Sequence, residues 1–416
     1  MSSIHFLDKN QFALIIIAKI ASIQFFSKVL LDILLTLSLA KNNHLMHKFL
    51  ALITLLFVSA FFSSCSEADI EAPVKLPDNL VVTVEYLGNG EVKANFTADN
   101  TAYFKVSFGT PGETSQRVDG NTATKKYTEK GNYQLNVQAH ATETDFVVAS
   151  QTISMNAALL GLGPNAGYTS PDSYEGYTMV WADEFSGATL SSDWTFELGD
   201  GCPELCGWGN QELEFYKKEN TSLQDGNLII TAKKESAGSR NYTSSRLITK
   251  GKRFFTYGRV DIRAKLPKGQ GIWPALWMLG ENISEVSWPK CGEIDIMELV
   301  GGSAENRDGT IHGTVHWDNA GSNANYGGKT SLPFGIFNDE YHVFSIIWDA
   351  EKIVWLLDNV QYHVIDIRPV ELNEFQKPFF FILNVAVGGT WPGSPDASTV
   401  FPQEMKVDYI RVFQKK

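Results

Sequence analysis

Four cysteines and eight histidines are all that 416 residues contain, and none form a cluster at zinc-ligand spacing. No Walker loop is present, and no G-x-G-x-x-G opens a helix. Nucleotide hydrolysis and dinucleotide-dependent redox chemistry therefore lack their phosphate-binding loops. Positive charge is also short: 35 Lys and Arg stand against 47 Asp and Glu, a formal net charge of −12. That balance argues against a nucleic-acid partner and for a neutral or cationic ligand. Sustained helical periodicity is missing. Aromatic residues are plentiful, at 12% of the chain with ten Trp, which points to a large β core or an aromatic ligand groove. The length allows two or three domains.

The N-terminal region reads as targeting sequence. Residues 1–45 are apolar but broken by Lys19, Lys28 and Asp32. They make a poor membrane span and read as a mis-called upstream segment. From Met46, "MHKFLALITLLFVSAFFSSC" has a basic start, an apolar run from Phe49 to Phe62, and small residues before Cys65. Residues 46–65 resemble a bacterial lipoprotein signal, in which cleavage precedes the cysteine and lipid is added to it. The run is short for a spanning helix of about 20 residues. Residues 66–75, acidic and ending near proline, read as a tether. The expectation is an exported, monomeric outer-membrane lipoprotein anchored through Cys65, on the cell surface or the periplasmic face.

Residues 76–156 hold short alternating strands separated by turn residues such as Asn89-Gly90 and Lys130-Gly131-Asn132. This predicts a small β-sandwich. Its "YTEKGNYQLNVQAHA" resembles the closing strands of PKD-type immunoglobulin-like modules. The Trp and both Asp of that module's W-D-F-G-D-G element are missing, and a spacer role is expected. Residues 157–177, rich in Gly, Pro, Ser and Tyr, read as a linker. Residues 178–416 return to strands, "GRVDIRAKL", "IWPALWML", "GEIDIME" and "FFFILNVAVGG" among them. The fold class predicted is all-β: a large, curved antiparallel sandwich whose concave face suits an extended polymer.

One strand carries the chemistry. "CGEIDIMELVG", residues 291–301, puts three carboxylates into an apolar run. Burying them is costly unless they are paired or used. Alternation places Glu293 and Asp295 on one face and Ile294 and Ile296 in the core. Glu298, five positions after Glu293, would then point inward. A β-bulge at Ile296-Met297 reverses the phase and brings all three acids to one face. The two glutamates would then end about 5–6 Å apart, the separation of a retaining glycosidase pair. Their mutual repulsion would let one keep a proton as acid while the other stays ionised. This spacing does not say which does which.

"GEIDIMELVG", "GWGNQELEFY", "GRVDIRAKLPKGQGIWPALWMLG", "GTVHW" and "FILNVAVGGTWPGSPD", followed by "FPQEMKVDYIRVFQ", resemble glycoside hydrolase family 16, in its bacterial laminarinase branch. The resemblance runs over about residues 178–414. It implies a jelly-roll fold, Glu293 as nucleophile, Asp295 as its assistant and Glu298 as acid/base. The activity implied is endo-β-1,3-glucan hydrolysis with no cofactor needed. Mixed-linkage glucanase, agarase or carrageenase activity, transglycosylation, and a non-hydrolytic glucan binder are the alternatives.

Among supporting residues, Trp273 and Trp277 are expected to stack on sugar rings. Trp208, Asn210 and Glu212 are expected to form a polar subsite loop. Arg246 is either a sugar contact or a surface ion pair. Asn384 and Trp391 are expected to border the cleft, where Gly388-Gly389 lets backbone approach closely. His316 is expected in the groove beside the acids, and His312 in packing. The resemblance also implies a structural Ca²⁺, held by the carbonyls of Glu184 and Gly226 and the side chain of Asp408. Cys202 and Cys206 are expected to form a local disulfide, as an exported compartment permits, and Cys291 to be a buried thiol.

Overall fold

The computed structural model describes residues 74–416. The segment read as a signal, Cys65 and the acidic stretch after it lie outside the described residues. Strands dominate the described residues, in which the α-helix is represented by the single turn Ile283–Val286.

Residues 78–155 form two facing sheets. The first orders Asp78–Gly88, Glu91–Asp99 and Thr122–Lys126, and the second orders Gln116–Val118, Tyr103–Ser107, Gly131–His140 and Phe146–Met155. The Asn89-Gly90 turn has positive φ at both residues, 48° and 79°. That is the geometry a tight two-residue hairpin needs. Alternate residues meet between the sheets: Val92, Ala94 and Phe96 from one, Phe104, Val106, Leu135 and Val137 from the other.

The segment read as a linker is strapped to the larger domain. The buried guanidinium of Arg263 donates to the carbonyls of Tyr168 and Asn165 at 2.7 and 2.8 Å. Tyr174 Oη donates to Asp261 Oδ2 at 2.6 Å, and Gly167 forms a β-bridge with Tyr341. The Gly/Pro/Ser composition describes the irregular backbone correctly. It does not reveal that a buried arginine holds that backbone.

The larger domain is a two-sheet antiparallel sandwich. Its seven-stranded sheet runs, edge to edge, Ser322–Ser331, Thr310–Asn319, Glu293–Glu298, Ile272–Gly280, Phe379–Val387, Arg246–Ile248 and Thr195–Glu197. The facing eight-stranded sheet centres on Gln403–Lys415, Gly258–Lys265, His342–Trp348 and Lys352–Leu357. Between them lies one apolar core that includes Ile262, Leu276, Ile294, Val315, Phe344, Trp348, Trp355 and Phe381. Burying a side chain of this size is worth about 1.5–3 kcal/mol, so the core dictates which face of each strand turns inward. The other face of the seven-stranded sheet is left for function.

Candidate active site

The strand Glu293–Glu298 lies between Ile272–Gly280 and Thr310–Asn319. Against the latter, Glu293 pairs with His316 and Asp295 with Thr314, but Glu298 pairs with His312. Against the former, Asp295 pairs with Trp277 and Met297 with the adjacent Leu276. Both ladders skip one residue at Ile296-Met297, the bulge position expected from the carboxylate spacing. Opposed residues of an antiparallel pair point to the same face. Glu293, Asp295 and Glu298 therefore share the outer face with His312, Thr314, His316 and Trp277. Ile294, Ile296 and Met297 enter the core.

The acids differ in surroundings. Glu293 receives the Trp288 Nε1–H at 3.0 Å on Oε2, and His316 Nε2 lies 3.8 Å from its Oε1. Asp295 is 3% exposed; its Oδ2 has no hydrogen-bond donor among the described residues and lies 3.5 Å from His316 Nε2. Glu298 receives the Trp273 Nε1–H at 3.1 Å on Oε1. Burial, with the Glu293 charge adding, pushes the Glu298 carboxyl up to about 8. Asp295 is driven well above the ordinary carboxylate range by burial and by both glutamates. Burial also raises Glu293, but His316, Trp288 and Arg246 oppose that rise. Glu298 therefore keeps its proton near neutrality, and Glu293, whose rise is opposed by its neighbours, is the carboxyl better placed to ionise.

Aromatic residues frame this row. Trp273 and Trp277 sit on the outer face of the neighbouring strand, half-buried, with small Ala275 between them, opposite Glu298. Trp391 is exposed and meets Trp273 edge-on, with ring centroids 5.7 Å apart. Asn384 is buried in the strand Phe379–Val387, where its Oδ1 accepts from Trp277 Nε1 at 2.8 Å.

Arg246 is an ion pair, though not a surface one. It is buried, it donates to Glu197 Oε2 at 2.5 Å, and its guanidinium lies 4.7 Å from the Trp208 ring and 4.9 Å from that of Trp277. The cation thus fixes two indoles at once.

Glu212, expected in the polar subsite loop, lies beneath its surface. It is 3% exposed, and both its oxygens are taken, one by Asn210 Nδ2 at 3.0 Å and one by Tyr216 Oη at 3.0 Å. Tyr216 Oη in turn accepts from Asn384 Nδ2 at 3.1 Å. Glu212 anchors the loop from beneath, while Trp208 and Asn210 remain partly open. His312, expected in packing, packs against an aromatic ring of the outer face. It is half-buried on the outer face, paired across from Glu298, with its ring 5.0 Å from that of Trp391. Simple alternation places it there, because it shares the parity of His316.

Cys202 and Cys206 are joined by a disulfide, and Cys291 is a buried free thiol. Glu184, Gly226 and Asp408 gather around the strand Gln403–Lys415, on the other sheet from the acids. The two carboxylates are already employed: Arg411 grips both oxygens of Glu184 at 2.7 and 2.9 Å, and Arg263 donates to Asp408 Oδ2 at 2.7 Å.

Sequence reasoning missed Trp288, Glu197, Tyr216 and Glu214. Glu214 is fully buried beneath the loop, accepts the Val387 N–H at 2.6 Å, and is held well above the ordinary carboxylate range by burial and by Glu212. For Trp288, the signal was available: an indole five residues before Glu293 in a short loop. The others act through partners distant in sequence.

A two-sheet β-sandwich with paired carboxylates and flanking tryptophans on one sheet face is the arrangement of a carbohydrate-acting protein. A family model described as Glycosyl hydrolases family 16 matches residues 209–411. A second, described as Beta-glucan synthesis-associated protein SKN1/KRE6/Sbg1, matches residues 128–287. The beta-glucanase of Rhodothermus marinus is 39% identical over 255 residues, covering 57% of this chain and 85% of that protein. The clotting factor G alpha subunit of Tachypleus tridentatus is 37% identical over 57% of this chain, which spans only 34% of that longer protein. The laminarinase catalytic domain of Thermotoga maritima superposes with a TM-score of 0.54 at 46% identity, over 58% of this chain and all of that domain. The chain belongs to glycosyl hydrolase family 16.

Proposed function

We propose that this protein is a retaining endo-β-1,3-glucanase that hydrolyses laminarin-like glucans. The observation that carries the reading is the bulge, which sets Glu298, a protonated acid near neutrality, on the same sheet face as the donor-supported carboxylate of Glu293. The named relatives favour β-1,3-glucan over other polymers: the Thermotoga maritima neighbour is a laminarinase.

Glu298 protonates the leaving glycosidic oxygen while Glu293 Oε attacks the anomeric carbon, giving a covalent glycosyl ester. Forming that ester consumes the Glu293 charge. One of the two influences holding the Glu298 proton is then gone, and Glu298, now a carboxylate, takes a proton from water, which attacks the ester with overall retention. Asp295, buried beside Glu293 with its proton affinity raised by burial and by both glutamates, stabilises the departing carboxylate in the second step. Trp273, Trp277, Trp391 and Trp288 offer apolar faces to sugar rings. No cofactor enters these steps.

Two proposals concern the rest of the molecule. The chain is exported and tethered by a lipid on Cys65, with the small sandwich as spacer; the Cys202–Cys206 disulfide supports an oxidising compartment. A structural Ca²⁺ on the eight-stranded side would draw one oxygen from Asp408, whose Oδ1 is outside its pair with Arg263, and carbonyls from Glu184 and Gly226.

The deciding experiment incubates the protein with laminarin, lichenan and agarose, scores reducing ends, and reads the anomeric configuration of the first product by NMR. Rapid release of β-configured oligosaccharides from laminarin is expected. Absence of new reducing ends from laminarin, or an α-configured first product, overturns the proposal.

A further inference from the structure

Trp355 belongs to the strand Lys352–Leu357 of the eight-stranded sheet, opposite the one that carries the acids. Its indole is fully buried in the core. The Nε1–H donates across the core to the backbone carbonyl of Asp295 at 2.8 Å. In a regular ladder, carbonyls lie in the sheet and bond to neighbouring strands. A carbonyl that accepts from the opposite sheet has turned toward the core. This one belongs to the peptide that enters the bulge, where both ladders lose register.

The bulge frees a carbonyl that would be costly to bury without a partner, and Trp355 supplies the partner. The neighbouring strand makes room for it. Gly313 points coreward, between Ile311 and Val315. A Cβ there would lie 2.4 Å from Trp355 Cδ1, 2.7 Å from its Nε1 and 2.7 Å from Tyr362 Oη. Glycine is therefore needed at 313 because the indole occupies the space a side chain would fill, not because of its backbone angles.

We propose that Trp355, seated through Gly313, is a positioning residue for catalysis: its N–H holds the bulge, and the bulge turns Glu298 onto the face of Glu293. The inference rests on the glycosidase reading. Nothing in the linear pattern ties residue 355 to residue 298, yet one hydrogen bond through the core links the acid/base to the far sheet.

The test compares Trp355→Phe with Trp348→Phe. Trp348 is an equally buried core tryptophan of the same sheet, whose Nε1 donates to the Phe375 carbonyl at 3.0 Å, away from the acids. Both variants lose an indole N–H and comparable packing, so both should melt earlier. Only Trp355→Phe should lose kcat on laminarin, by about tenfold or more, with KM within about twofold, because a shift of order 1 Å at a reacting group costs on the order of 100-fold. Should Trp355→Phe not fold, benzothienylalanine at 355, which replaces the N–H by sulfur at nearly constant volume, reads the same bond. A crystal structure of whichever variant folds gives a second readout independent of activity: Glu298 should slip from its pairing with His312. Inactivity of the wild-type protein on every glucan sinks the glycosidase reading, while the crystal structure still decides the role of Trp355. Equal kcat for the two Phe variants, or an unchanged bulge without the N–H, overturns the proposal.

Discussion

Glu298 stands opposite His312 while Glu293, five positions earlier, stands opposite His316, only four positions away on the partner strand. That one-residue discrepancy converts an apolar core strand into an active-site strand. With regular pairing, Glu298 would enter the core that holds Ile296 and Met297, where an unpaired charge costs several kcal/mol. With the bulge, each acid has a distinct set of partners: Trp288 and His316 for Glu293, His316 for Asp295, Trp273 for Glu298.

The roles of the two glutamates separate by leaving group. Glu298→Ala should lower kcat on laminarin by about 10²–10⁴, the usual range for loss of a general acid. The same variant should still form the glycosyl ester rapidly from an aryl β-glucoside whose phenol needs no protonation. Glu293→Ala should fail on both substrates. If the aryl glucoside instead reacts normally with Glu293→Ala and not with Glu298→Ala, the two roles are exchanged. Burst kinetics on the aryl substrate provides the measurement.

The pH dependence originates in the Glu298 proton. Glu298 is pushed up to about 8 by burial first and the Glu293 charge second, so kcat/KM should fall as pH rises through about 8. Stability carries the same sign. Between the ordinary carboxylate range and about 8 the folded state keeps a proton that the unfolded state has lost, so raising the pH across that window destabilises the fold. Glu298→Gln removes this titration. Relative to wild type, the variant should gain melting temperature progressively from pH 5 to pH 8. A constant difference across that range would contradict the assignment.

Trp288 sets the other limb of the profile. Its N–H lowers the proton affinity of Glu293, as does His316. Trp288→Phe removes the donor and keeps an aromatic surface. The acidic limb of kcat/KM should move to higher pH by about half to one unit, the size of a modest hydrogen bond to a charged acceptor. The basic limb should stay in place. Movement of the basic limb alone would mean that Trp288 addresses Glu298 instead.

What was legible in the sequence was what periodicity can carry. Alternation along 293–298 exposes the conflict at Glu298 and locates its resolution, and the same rule separates core from outer residues on 272–280. Closing turns such as Asn89-Gly90 announce hairpins by chemistry alone. Roles that depend on a distant partner were not legible. Glu212 reads as a loop carboxylate, yet Tyr216 and Asn210 bury it. The segment 157–177 reads as a linker until Arg263 reaches it through the fold. The four-residue spacing of His312 and His316 put both on one face, but did not show the Trp391 ring against which His312 packs.

Arg246 offers the sharpest separation of binding from folding. Its guanidinium contacts the rings of Trp208 and Trp277 and pairs with Glu197. Arg246→Met keeps an unbranched, flexible side chain and removes the guanidinium and its charge. Two indoles then lose a cation worth about 0.5–2 kcal/mol to each, and Glu197 is left partly buried without its partner, at a cost of about 1–3 kcal/mol. The single variant should therefore raise KM for laminarin oligosaccharides about tenfold and lower the melting temperature. Adding Glu197→Gln removes the stranded charge and should restore much of the melting temperature while leaving KM high. If the second substitution repairs KM as well, Arg246 serves only to neutralise Glu197, and the orientation of Trp208 and Trp277 does not depend on it.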